Sequence, residues 1–114
     1  MSKRDVIQYL NDMLLNARRA QDLVEHLSFE DLQADWPTQY ALLRALEIIG
    51  EAARYIPAEV RRQAPEIPWS DIVGMRNLLI HHYHGVDWEI VWETTLESIP
   101  ELIKALEALL QKLN

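Results

Sequence analysis

Apolar residues in the first part of the chain recur at helical spacing. Val6, Leu10, Met13, Ala17, Ala20 and Val24 form one stripe, the period expected of a helix with one buried face. Ser2 precedes the stripe and Asp5 follows it by three, the pattern of a capping box. A first helix is therefore predicted from about Ser2 to His26. Ser28-Phe29-Glu30-Asp31 reads as a cap and a short turn that tucks Phe29 and Leu32 under the core. A second stripe, Ala41, Leu42, Ala45, Leu46, Ile48, Ile49, Ala52 and Ala53, predicts a long helix that starts at Pro37-Thr38 and runs to about Ile56. Pro57 ends it and can open a short third helix, because proline is tolerated in a first turn.

Pro65-Glu66-Ile67-Pro68 reads as a rigid extended connection, since each proline disfavours helix in its predecessor. A fourth helix follows from Trp69 or Ser70 to His81 or His82 and stops before Gly85. Asp87 looks like the N-cap of a last long helix to about Leu113, with a bend at Pro100. No stretch alternates with period two for long enough to make a strand. The expected fold is all-α: an up-and-down bundle of four main helices plus one or two short ones.

Composition narrows this picture. At 114 residues the chain is expected to be one domain, 1–114, burying roughly two thirds of its unfolded surface. That supports one core with little to spare. Three glycines and five prolines leave room for long helices. The absence of cysteine excludes disulfides and thiolate ligands and fits a reducing compartment. Met1-Ser2-Lys3-Arg4 is followed by an amphipathic stretch, not the apolar run of a signal peptide. No window approaches the roughly 18 apolar residues of a membrane span. The expected location is the cytoplasm.

The net charge of −7 argues against a general nucleic-acid coat, which needs a basic footprint. The charge is uneven, however. Residues 1–49 carry 8 acids and 5 bases, and residues 85–114 carry 6 acids and 2 bases. Residues 50–84 carry 4 of each and hold three of the four histidines. The middle of the chain is the least hostile place for an anion, and the acidic flanks restrict which anions arrive.

That middle contains Arg76-Asn77-Leu78-Leu79-Ile80-His81-His82-Tyr83-His84 at a predicted helix C-terminus. At roughly 100° per residue, Arg76 and Tyr83 fall within about 20° of each other, whereas Arg76 and His81 are about 140° apart. Arg76 and His81 converge only if the helix loosens near Ile80 or if a second copy of the segment faces the first, as in a symmetric dimer. The residue types suit phosphodiester cleavage. Arginine grips phosphate oxygens with a planar fork. Histidine titrates near neutral pH, so it can take a proton from a nucleophile and return one to a leaving group. In RNA the 2′-hydroxyl can be that nucleophile, so no metal and no cofactor is called for. Asn77 could orient either partner, and Tyr83 offers a hydroxyl and a stacking face. Two other readings stay open. Histidine and arginine at a helix C-terminus also favour the dipole and cap free carbonyls. His81, His82 and His84 could form a zinc site, although their spacing is neither an i, i+4 helical pair nor a zinc-finger pattern.

Arg76-x4-His81-x-Tyr83 resembles the signature of the HEPN-domain ribonucleases, specifically the HepT-like toxins. Ile48-Ile49-Gly50-Glu51-Ala52-Ala53 resembles the family's second-helix pattern. Pro65-Glu66-Ile67-Pro68-Trp69 and Gly74-Met75-Arg76-Asn77 resemble its approach to the active segment. Val86-Asp87, Ile90-Val91-Trp92 and Ile99-Pro100-Glu101-Leu102 resemble its last helix. The set covers nearly the whole chain in order. The resemblance implies a helical homodimer whose two Arg-x4-His segments meet in an interface cleft. It implies metal-independent endonucleolytic cleavage of RNA with Arg76 and His81 catalytic, and a growth-inhibiting toxin. It also implies an antitoxin partner, a minimal nucleotidyltransferase of the MntA type, that transfers AMP from ATP to Tyr83. A phosphodiester on Tyr83 would add negative charge on the helix face of Arg76 and compete with RNA phosphate. His82 and His84 are carried over only as substrate contacts.

Other residues add to the expectation. Gly50 lies mid-helix, where glycine costs roughly 1 kcal/mol against alanine, so close helix–helix contact is expected there. Glu51 could pair with Arg76 or orient His81, or be a surface carboxylate. Arg54, Arg61 and Arg62 either extend a phosphate track or are solvated. Trp69, Trp88 and Trp92 read as core or interface anchors and Trp36 as packing. Leu102, Ile103, Leu106, Leu109, Leu110 and Leu113 read as core or dimer surface. A non-catalytic subunit that binds a nucleotide or phosphate for a nucleotidyltransferase is the alternative to a nuclease. A plain dimerisation bundle is a third.

Overall fold

The computed structural model describes the backbone of residues 1–81 and 85–114, and side chains outside residues 76–84. Among the described residues every regular element is helical. Helix α1 is Lys3–Val24, α2 is Phe29–Gln33, α3 is Trp36–Ala53, α4 is Ala58–Arg61 and α5 is Trp69–His81. Helix α6, Trp88–Glu93, passes through a π-helical turn, Thr94–Ser98, into α7, Ile99–Leu113. The all-α bundle expected from the periodicity is present, with α1, α3, α5 and the continuous α6–α7 as its long members.

The caps lie where the polar residues predicted them. Ser2 accepts the Asp5 N–H and the Asp5 carboxylate accepts the Ser2 N–H, and Ser28 and Asp31 repeat the arrangement at α2. Asp87 accepts from Glu89 and Ile90 at the start of α6. Helix α3 starts slightly before its expected start, because Asp35 caps it through the Thr38 N–H at 3.1 Å and hydroxyl at 2.7 Å. It stops at Ala53, not Ile56. Ile56 precedes Pro57, which disfavours helix there, and the Tyr55 and Ile56 N–H groups bond three residues back in a tightened turn.

Residues 65–68 do not form an extended connection. The Ile67 N–H donates to the Ala64 carbonyl at 3.1 Å, a turn with Pro65 at its second position, where its fixed φ fits. The expected bend at Pro100 takes the form of the π turn. Pro100 has no N–H for the Leu96 carbonyl and its ring crowds that carbonyl. The chain widens before it, so that the Ile99 N–H reaches Thr94 five residues back. Buried Thr95 supports this turn by donating its hydroxyl to the Val91 carbonyl at 2.8 Å.

The core lies between α1, α3 and α7, with Leu10, Met13, Leu42, Leu46, Ile49, Leu106 and Leu109 fully enclosed. Leu32 is buried and Phe29 half-buried, tilted against Trp92. The leucine-rich C-terminal stripe resolves as core: Leu102, Leu106, Leu109 and Leu110 are buried, with Ile103 and Leu113 packed beside them. No helix among the described residues is long and apolar enough to cross a membrane.

Candidate active-site helix

Helix α5 carries the residues expected to be chemical, and its start is firmly held. Trp69 is buried and donates its indole N–H to the Ala64 carbonyl at 3.1 Å. Arg61 lies over the Trp69 ring at 5.7 Å. The same guanidinium donates through Nε to the Ile56 carbonyl at 2.9 Å and through Nη2 to the Ala53 carbonyl at 3.0 Å. Arg61 thus ties the end of α3 to the start of α5 and is committed to structure, which excludes the phosphate track as its role.

From that junction α5 packs back along α3. Ile49 of α3 lines the same cavity, about 430 Å³, as Ile72 and Met75 of α5 and Ile99, Leu102 and Ala105 of α7. The backbone stays α-helical from Trp69 through His81, so Arg76, Asn77 and His81 ride on one continuous helix. Their side chains, and His82, Tyr83 and His84 altogether, lie outside the described residues. So does the proposed zinc grouping.

Gly50 is buried in α3. Glu51 is half-buried on α3, and its carboxylate lies 3.6 Å from Arg54, whose guanidinium also lies 5.3 Å from the Tyr55 ring centre. Arg18 pairs with Glu107 at 2.9 Å and Arg44 with Glu47 at 2.8 Å. Much of the described positive charge is therefore engaged within the protein.

Trp36 departs from expectation. It is not packed but 66% exposed, set edge-on to Tyr40, which is 70% exposed, with ring centres 5.6 Å apart. The signal was available as two aromatics spaced i, i+4 and off the apolar stripe of α3.

The chain is similar to known proteins over most of its length. Residues 13–109 match the family model described as "Ribonuclease HepT-like". A probable ribonuclease HepT of Thermococcus cleftensis is 43% identical over 107 residues, 94% of this chain and 97% of the relative. A candidate RNase of Methanocaldococcus jannaschii is 40% identical over 107 residues, 94% and 98% of the two chains. Another of Caldanaerobacter subterraneus is 44% identical over 104 residues, 91% and 93%. No solved structure gives a significant match. This all-helical chain belongs to the HepT-like ribonuclease family of HEPN proteins. On that membership it is a ribonuclease, an enzyme that cuts RNA.

Proposed function

We propose that the chain, acting as one HepT-like unit over residues 1–114, is a metal-independent endoribonuclease toxin. Its site forms where the α5 segments of two copies face one another. The unbroken α5 carries this reading. An ideal helix leaves Arg76 and His81 about 140° apart, and the helix runs regularly through Ile80 to His81. On such a helix a single copy would not turn both toward one phosphate, whereas two copies about a two-fold axis would supply Arg76 from one and His81 from the other.

In this site Arg76 neutralises the phosphate and its charge development. His81 takes the proton from the 2′-hydroxyl as that oxygen attacks phosphorus, and a protonated histidine gives one to the departing 5′-oxygen. The products are a 2′,3′-cyclic phosphate and a free 5′-hydroxyl. Asn77, His82 and Glu51 support substrate or catalytic groups. The partner is a minimal nucleotidyltransferase of the MntA type, and transfer of AMP to Tyr83 silences the site by adding an anion and an adenosine to the groove.

RNA cleavage in the presence of chelator tests the enzyme directly. Wild-type chain is expected to cut, and His81→Ala to lose on the order of 10²- to 10⁴-fold. Full activity in the variant would contradict the assignment. Intact mass of chain co-produced with its nucleotidyltransferase is expected to show an added adenylyl group, absent from Tyr83→Phe.

A further inference from the structure

The geometry points to Trp36 and Tyr40 as a stacking platform that holds unpaired bases of the RNA cut at the α5 site. This rests on the ribonuclease reading and adds a substrate-binding site and a substrate class, single-stranded RNA.

Placement comes first. Ile49 and Ile72 line one cavity, and α5 runs back along α3 from the Arg61 junction. At about 1.5 Å per residue, Tyr40 lies roughly 13 Å along α3 from Ile49, and His81 lies roughly 13 Å along α5 from Ile72. Tyr40 and the end of α5 therefore share one end of the bundle. Ala41 and Ile48 face α1, since they line a groove with Asn16, Arg19 and Leu23. At about 100° per residue, Trp36 is turned about 140° from Ala41 and about 120° from Ile48. That turns it away from α1, to the side of α3 on which Gly50, about 40° from it, is buried.

Chemistry comes second. The rings are 5.6 Å apart at 72°, and their exposure leaves aromatic face open to a base. Every nucleobase has a face that stacks on an aromatic side chain, and such contacts are tolerant of sequence. The neighbouring carboxylate of Asp35 accepts from Thr38, so it is occupied in capping. Stacking also answers a problem of charge. The chain carries −7 overall; Arg18, Arg44 and Arg54 sit in exposed ion pairs with carboxylates, and Arg61 donates to backbone carbonyls. An acidic protein gains affinity from uncharged contacts that salt does not screen. Duplex RNA hides its base faces and does not fit this platform.

The test uses the full chain carrying His81→Ala, so that RNA is bound without being cut. A labelled, unstructured oligoribonucleotide and the same strand in duplex are titrated against it. Trp36→Ala and Tyr40→Ala are each expected to weaken single-strand binding by roughly ten-fold or more, with Trp36→Phe retaining most of it and duplex binding weak throughout. In the active chain, Trp36→Ala is expected to raise KM and leave kcat within about three-fold. Unchanged affinity in both alanine variants, with cleavage intact, overturns the platform and leaves the ribonuclease standing. Loss of self-association on Trp36→Ala, measured by sedimentation, overturns it in favour of contact between copies. A wild-type chain that neither binds nor cuts RNA overturns both readings.

Discussion

The guanidinium of Arg61 lies 5.7 Å over the ring of Trp69 while it donates to the carbonyls of Ala53, the last residue of α3, and of Ile56 beyond it. Three otherwise separate things, the last residue of α3, the turn at Ile56 and the first residue of α5, share this one side chain. Removing it strands two carbonyls and an aromatic face. Arg61→Ala is expected to destabilise the chain by about 2 kcal/mol, read as a lower urea midpoint. Arg61→Lys is expected to recover little, because an ammonium lacks the planar fork. RNA cleavage by either variant, under conditions where it is folded, is expected to match wild type.

Thr95 gives a second test inside the fold. Buried in the π turn ahead of Pro100, its hydroxyl donates to the Val91 carbonyl of α6. Thr95→Val keeps the shape and removes the donor. It is expected to cost about 1 kcal/mol and to speed amide exchange through residues 94–99, measured by hydrogen exchange.

Helix caps set the acid limb of stability. Hydrogen bonds from Thr38 hold the Asp35 carboxyl below its usual range, and those from Ser2 do the same for Asp5. A carboxyl whose folded pKa is depressed contributes stability that is present above its unfolded pKa and lost as pH falls through the folded value. The urea midpoint of wild type is therefore expected to exceed that of Asp35→Ala at neutral pH, with the gap closing below about pH 4. Asp35→Asn, which caps without titrating, is expected to keep its advantage over alanine at low pH. A gap that stays constant for wild type down to pH 2 would contradict this.

Salt dependence separates stacking from charge as the source of RNA affinity. With stacking carrying the affinity, the slope of log affinity against log salt is expected to be small, equivalent to about two or three phosphates on a single strand. Anisotropy titrations across salt concentrations measure it, and a slope equivalent to six or more would contradict a stacking-led interaction.

How much of this was legible in the sequence follows from what sequence encodes locally. Ser2 with Asp5, and Asp87 before Trp88, announce helix starts because capping needs only residues three apart. The apolar stripes of α1 and α7 name their own core residues. The π turn was visible only as a bend at Pro100, because periodicity does not report how a backbone absorbs a missing N–H. The turn at Ala64–Ile67 was read as extended because two prolines suggest it, yet Pro65 fits a turn equally well. Arg61 read as a surface cation, since its carbonyl partners come from helix ends that only the folded chain brings together. Trp36 read as packing because tryptophan usually is. For the site, Arg76 and His81 were legible as residue types with a fixed spacing. In the proposed site the relation between them depends on a second copy of the chain, which no local spacing describes.

Mixing two inactive variants tests that relation most directly. Arg76→Ala and His81→Ala chains, each inactive alone, are unfolded together, refolded as mixed dimers and assayed for RNA cleavage in chelator. If the site takes Arg76 from one copy and His81 from the other, half the dimers are mixed and each regains one of two sites, so activity recovers to about one quarter of wild type. No recovery from a mixture proven to contain mixed dimers would contradict the shared site.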